Sequence, residues 1–149
     1  ACELGMPVTL SDKSSDALAV ADANARALYG SPLPLVEDDL LYNRDEKYGI
    51  IVSNPPYLTP SWILEVGREV GWEPIMALDG NSDDGLGLIR RLIGESAARL
   101  KKGGALFLEC DYRQAEDVAH LLGHWSFQDV TIVRDLGGHQ RVVWGVFNE

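Results

Sequence analysis

Tyr48-Gly49-Ile50-Ile51-Val52-Ser53-Asn54-Pro55-Pro56-Tyr57 is the stretch on which the fold turns. Its apolar, β-branched first half reads as a buried strand, and it stops at a polar residue followed by two prolines. Neither proline can donate a ladder hydrogen bond, so the strand ends there. In an open α/β sheet, ligands bind at the carboxyl ends of the strands. That puts Asn54-Pro55-Pro56-Tyr57 on the rim of a pocket. The Asn54 side chain offers a carbonyl acceptor, and the Pro55 carbonyl sits on stiff backbone. Two such acceptors can grip both hydrogens of a planar NH2 group, while Tyr57 supplies a flat face for stacking. The arrangement suits a reaction in which a weakly nucleophilic amide or aromatic amine is aimed at an electrophile. The same four residues would also serve as a plain rigid turn.

Working outward, the chain alternates strands and helices. Val8-Thr9-Leu10 reads as a short strand closing at Ser11-Asp12, and Ser14 or Ser15 caps a helix running to about Leu28. Ala17, Leu18, Ala21, Ala25 and Leu28 lie near helical spacing, and Gly30 ends the helix. Asp12, at a strand end before a helix, is placed to accept hydrogen bonds from ribose hydroxyls, or it is a solvated loop carboxylate. Leu33 to Glu37 is a second short strand closing on Asp38-Asp39-Leu40. A carboxylate there could accept from an adenine amino group while an apolar neighbour covers the ring.

On the carboxyl side, Thr59 to Asp84 has no clear period, with Trp62, Ile63, Val66 and Val70 suggesting a short amphipathic helix. A long irregular segment beside a pocket reads as a lid. Leu86, Ile89, Leu92, Ile93 and Leu100 lie on one stripe of a helix ending at Lys102-Gly103-Gly104. Ala105 to Glu109 is a buried strand. Gln114 to about Leu122 is a helix with Ala115, Val118, Ala119 and Leu122 inward. Val130–Val133 and Val142–Phe147 are strands whose connection is too short for a crossover helix, so they are antiparallel. Everything before them predicts an α/β fold with a parallel sheet.

Composition sets the bounds. At 149 residues, with 46% apolar and 24% charged residues, the chain has the profile of one ordinary globular domain. No apolar run is long enough to span a bilayer, so no membrane partner is expected. Cys2 and Cys110 make neither a disulfide framework nor a metal knuckle, and the plain expectation is a cytoplasmic protein. His120, His124 and His139 lack a convincing ligand spacing, so no metal site is expected. A net charge of −10 works against nucleic-acid binding. Arg90-Arg91 and Arg99 with Lys101-Lys102 read as one solvated helix face.

The strand followed by Asn54-Pro55-Pro56-Tyr57 resembles the signature of amino-group methyltransferases that use S-adenosylmethionine. Further matches make the resemblance more specific. They are Asp12-Lys13-Ser14-Ser15-Asp16-Ala17-Leu18, Asp39-Leu40-Leu41, Glu73-Pro74-Ile75-Met76-Ala77-Leu78-Asp79-Gly80, and Asp84-Gly85-Leu86. Leu108-Glu109 with Tyr112 and Gln114, and Asp135-Leu136 with Gly138 and Arg141-Val142-Val143, complete them. Together they are similar to the catalytic domain of the HemK-type protein-glutamine N-methyltransferases, which modify the Gly-Gly-Gln tripeptide of peptide-chain release factors.

The resemblance implies a Rossmann-like class I S-adenosylmethionine-dependent methyltransferase sheet with a C-terminal antiparallel hairpin. It implies that Asp12 binds the ribose hydroxyls of S-adenosylmethionine and that Asp39 with Leu40 binds the adenine. Asn54 and Pro55 would orient the glutamine amide, with Asn54 also beside the cofactor, and Pro56 and Tyr57 would shape the slot. The amide nitrogen would attack the methyl in line, helped by positioning rather than by a covalent intermediate. The partner implied is a release factor.

Departures from the family pattern shape further expectations. The family opens with a strand and a Gly-rich loop for the methionine end of the cofactor, and neither is found here. Residues 1–149 are therefore expected to be part of a catalytic domain whose first strand is absent. In the family's sheet order, 3-2-1-4-5-7-6, that strand lies between the Val8 and Tyr48 strands, so direct pairing of those two would contradict the expectation. Lys13 stands where an apolar residue is usual, and Asp111 where a glycine is. Two rival readings remain at this level: a DNA or RNA amino-methyltransferase, and a non-catalytic methyltransferase-like binding domain.

Overall fold

Ser14 and Gly30 bound the first helix of the computed structural model, which describes residues 5–43, 45–65 and 73–149. Two units are distinguished, Ala1–Arg44 and Asp45–Glu149. In the first, strand β1 (Leu10–Asp12) leads into helix α1 (Ser15–Tyr29) and then strand β2 (Leu35–Glu37). Ser14 Oγ accepts from the Ala17 amide at 3.2 Å, satisfying one of the helix's orphan donors. Gly30 closes the helix in the left-handed region at φ 71°, its N–H bonded to the Arg26 carbonyl.

β1 and β2 pair in parallel, with Leu10 opposite Leu35 and Asp12 opposite Glu37. The first strand starts later than expected and takes in Asp12. Its ladder begins only where the Leu10 amide can donate to the Pro34 carbonyl, and Pro34 itself offers no N–H, so β2 starts at Leu35 rather than Leu33. On α1, Leu18 and Ala25 are buried and Ala21 is half-buried, whereas Ala17 and Leu28 are exposed.

The second unit carries a four-stranded sheet in the order β3-β4-β6-β5, formed by Tyr48–Ser53, Leu100–Glu109, Gln140–Phe147 and Phe127–Arg134 respectively. β3 pairs with β4 in parallel, and β6 pairs antiparallel with both β4 and β5. The C-terminal antiparallel hairpin is therefore as the short Asp135–His139 connection required. β1 and β2 form their own two-stranded sheet.

Between the strands lie α2 (Pro60–Glu65), α3 (Gly87–Arg99) and α4 (Ala115–His124). α3 stops before Leu100, earlier than its apolar stripe suggested. Leu100 turns extended, pairs with Tyr48 and is 2% exposed, so burial in the sheet wins over helix propagation. Lys101 to Gly104 then form a bulge between that pair and Ile50–Ala105, with Gly103 at φ 77°. Val66 and Val70, read as helical, lie outside the described residues.

One face of this sheet makes the core. Leu106, Leu108 and Val143 from the strands meet Ile89, Ile93, Val118 and Leu122 from α3 and α4, all at 0% exposure. Each such side chain contributes about 1.5–3 kcal/mol by leaving water. The opposite face is also apolar: Phe107 stacks on Trp144 with ring centroids 5.3 Å apart, and Val52 is 74% exposed.

Candidate active site

Asn54 leaves β3 at the carboxyl end of the sheet, where the parallel register sets Ser53 beside Leu108. The next residue on β4 is Glu109, followed by Cys110, whose amide bonds to the Arg141 carbonyl. Two parallel strands and the start of β6 thus converge on one rim. Asn54 is exposed, Pro55 is buried, and Pro56 and Tyr57 are half-buried. The four residues have no regular hydrogen-bonded structure, so something else must hold them.

A second loop does so. The Leu58 amide donates to the Leu78 carbonyl at 2.9 Å, and the Gly80 amide donates to the Leu58 carbonyl at 3.0 Å. This makes a short parallel bridge between Leu58 and Asp79. Thr59 then caps α2, its Oγ1 accepting from the Trp62 amide at 3.1 Å.

The second loop is itself internally braced. Ser82 Oγ donates to Asp84 Oδ1 at 2.7 Å and accepts from the Gly87 amide at 2.8 Å. Arg90 grips both oxygens of the Asp84 carboxylate. These bonds hold the Asp84 carboxyl well below the usual carboxylate range, with the Arg90 hydrogen bonds the largest cause. Gly80 and Gly85 allow the close approach: a Cβ on Gly80 would fall 1.9 Å from the Gly85 carbonyl oxygen.

Gln114, at the start of α4, joins the two loops. Its Nε2 donates to the Tyr57 carbonyl at 3.0 Å and to the Asp84 carbonyl at 2.8 Å. Beside it, the 5% exposed Asp111 accepts from Arg113 Nε at 2.7 Å and Nη2 at 3.1 Å. Burial pushes the Asp111 carboxyl up, but the Arg113 hydrogen bonds and charge outweigh it and the net shift is down. The Arg113 guanidinium also lies 3.5 Å over the Trp62 ring, tying α2 to the start of α4.

Tyr57 sits in this charged setting. Burial first, then the Glu109 carboxylate, raise its pKa above the ordinary value, against the pull of Arg141. The hydroxyl therefore stays protonated as a donor at neutral pH. Cys110 is fully buried and its thiol is pushed up to about 11, chiefly by burial, so it is no nucleophile.

The first unit holds the other expected residues. Asp12 ends β1, and its Oδ1 accepts from the Ser14 amide at 2.8 Å. Asp38 is 4% exposed and is taken up by the Asn43 amide and side chain. Asp39 pairs with Lys13 at 3.1 Å, and Leu40 follows at φ 63°. Asp12, Asp39 and Leu40 are thus gathered in the first unit, and Asn54, Pro55, Pro56 and Tyr57 in the second. Sequence reasoning missed the clamp by Gln114 and the Arg113–Trp62 stack, because both join positions with no shared pattern in the chain.

An open groove of about 500 Å³ runs along α4 and β5, lined by Glu116, His120, His124 and Val130 among others. It shares no lining residue with the Asn54–Tyr57 loop. His124 Nδ1 lies 2.7 Å from the His120 carbonyl oxygen. Among the described residues no group of three or more His, Cys, Asp or Glu could hold a metal ion, and no helix is long and apolar enough to cross a membrane.

Comparison with known proteins finds similarity to methyltransferases. No protein-family model matches it. It is 40% identical over 136 residues to the release factor glutamine methyltransferase of Deinococcus radiodurans, covering 91% of this chain and 48% of that protein. It is 37% identical over 147 residues to the enzyme of the same name from Bordetella pertussis, covering 95% of this chain and 54% of that protein. The chain therefore spans about half the length of the curated relatives it matches. Its fold matches ribosomal protein L11 methylase from Lactobacillus delbrueckii at a TM-score of 0.65 and 20% identity, covering 97% of this chain and 58% of that one. It also matches the release factor-specific protein-(glutamine-N5) methyltransferase of Alicyclobacillus acidocaldarius at a TM-score of 0.51 and 25% identity, covering 95% and 78%. The fold is that of the class I methyltransferases.

Proposed function

We propose that this chain is part of a release factor glutamine methyltransferase, carrying the residues that bind S-adenosylmethionine and present the glutamine amide. The observation that carries the reading is Asn54-Pro55-Pro56-Tyr57 at the carboxyl end of β3, braced by a second loop, in a chain 35–40% identical to enzymes of that name. Residues 1–149 are read as one part of the catalytic domain. A cytoplasmic location and a release factor as partner, with no nucleic-acid or membrane surface, go with that reading.

The donor set of the first unit fits the cofactor. Asp12 ends β1 and Asp39 lies two residues beyond the end of its parallel neighbour β2, both acceptors matched to a ligand that presents ribose hydroxyls and an exocyclic amine. Lys13 is a competitor for Asp39, and Leu40 is the apolar neighbour for a flat ring. When bound, S-adenosylmethionine supplies a methyl group activated by positive charge on sulfur.

The remaining work falls to this chain's residues. The Asn54 side-chain oxygen and the Pro55 carbonyl accept the two hydrogens of the glutamine amide. Their pull raises electron density on a nitrogen whose lone pair is otherwise delocalised. Pro56 and Tyr57 wall the slot, with Tyr57 as a neutral donor. Orientation is the main contribution, since effective molarity from a held geometry lowers barriers by several kcal/mol. No thiol nucleophile is called for, consistent with buried Cys110.

Calorimetric titration of S-adenosylmethionine into the full-length natural polypeptide, followed by methylation of a Gly-Gly-Gln peptide, tests the reading. Cofactor binding with methyl transfer to the glutamine is the expected result. Transfer to a nucleic acid instead would favour the amino-methyltransferase alternative, and no cofactor binding would favour a non-catalytic binding domain.

A further inference from the structure

The Gln114 carboxamide touches both loops of the candidate site at once. It is 4% exposed, and its Nε2 directs its hydrogens to the Tyr57 and Asp84 carbonyls at 3.0 and 2.8 Å. Its Oε1 is buried with no partner among the described residues. A half-turn of the amide would set that oxygen against two carbonyl oxygens, so its neighbours accept one orientation alone. A buried acceptor left without a donor is costly, and an apolar side chain in its place would instead leave the Tyr57 and Asp84 carbonyls without the donor they share. The two donors tie the Tyr57 and Asp84 carbonyls to one side chain.

What they hold is the height of the Tyr57 peptide. Gly85 lies against the same carbonyl, where a Cβ would come within 2.3 Å of the oxygen, so little slack remains. Upstream of Tyr57 are Pro56 and Pro55, whose rings lock φ. A fixed Tyr57 carbonyl is thus connected through a stiff two-proline lever to the Pro55 carbonyl and Asn54. We propose that Gln114 is a positioning residue that sets the reach of Asn54 and the Pro55 carbonyl toward the substrate amide. This rests on the glutamine-methyltransferase reading and deepens it.

The test uses the full-length natural protein with Gln114→Met, which keeps the volume and removes the donors, and Gln114→Glu, which turns an anion on the two carbonyls. Methylation of a Gly-Gly-Gln peptide is followed at saturating S-adenosylmethionine, with hydrogen exchange at the Leu58 and Gly80 amides. Gln114→Met should melt a few degrees below the wild type, because two carbonyls lose their donor, and exchange faster at Leu58 and Gly80. It should lose roughly 10- to 100-fold in kcat, because small misplacements of held groups carry such penalties. KM for the peptide should stay within about threefold, as expected when an interaction is lost in the transition state rather than in binding. Gln114→Glu should be slower still and recover partly as pH falls and its carboxyl regains a proton to donate. A Gln114→Met protein with wild-type kcat, or one whose activity falls only in step with its folded fraction, overturns the proposal. Wild-type protein that binds the cofactor but leaves the peptide unmethylated overturns the substrate reading instead. In that case unchanged exchange at Leu58 and Gly80 in Gln114→Met would overturn the positioning role as well.

Discussion

Gly85 and Tyr57 meet so closely that a methyl group on Gly85 would lie 2.3 Å from the Tyr57 carbonyl oxygen. Gly85 also adopts φ 72°, where side chains other than glycine are strained. Gly85→Ala should therefore destabilise the fold by about 1–3 kcal/mol, read as a lower denaturant midpoint. Methyl transfer should fall further than the loss of folded protein explains, because the loop carrying Tyr57 must give way. A variant with wild-type stability and rate would show the contact to be slack.

Asn54 is exposed and carries no hydrogen bond among the described residues, so its side chain has little structural work. Asn54→Ala should leave the melting temperature almost unchanged and cut kcat by about 100-fold or more. Steady-state rates on a Gly-Gly-Gln peptide, alongside thermal melts, check this.

Asp111 has a folded pKa below its ordinary value because Arg113 binds its charged form. A depressed carboxylate stabilises the fold above its unfolded pKa and loses that contribution as pH falls through the folded one. Asp111→Asn should cost about 2 kcal/mol at neutral pH. The gap to wild type should narrow as pH drops below about 4, where the unfolded carboxyl begins to protonate. Denaturant melts at pH 7 and pH 3 measure the difference. A gap that widens in acid would assign the wrong sign to the pair.

Lys13 holds Asp39 at 3.1 Å on an exposed surface. Removing that one ion pair with Lys13→Leu should tighten S-adenosylmethionine binding about two- to fivefold, the range of an exposed ion pair. Calorimetric titration reads it directly. Weaker binding in the variant would mean that Lys13 contributes contacts of its own.

Much was legible along the chain because it depends on neighbours in sequence. The α1 boundaries follow from Ser14 and Gly30, and β3 ends at Ser53, before Asn54, because prolines cannot extend a ladder. The hairpin was legible from the length of the Asp135–His139 link. Less legible were ends decided by packing: α3 looked helical through Leu100, yet Leu100 turns extended, pairs with Tyr48 and is buried there. On α1 the helical spacing of Ala17 and Leu28 did not reveal that both are exposed, because spacing shows which residues share a stripe and not how wide the covered stripe will be.

The sequence by itself determined the strand, its proline stop and the four residues that reach the rim, since each follows from local sterics and missing backbone donors. It also held the acceptors Asp12 and Asp39 at or just beyond strand ends. Only the tertiary structure decided what keeps the rim in place. Gln114 reaches back to Tyr57 across 57 positions, and Arg113 stacks on Trp62 from the other side of α3 in the chain. Such bonds depend on register and on the close approach that Gly80 and Gly85 permit, and no local preference encodes a distance between residues that far apart.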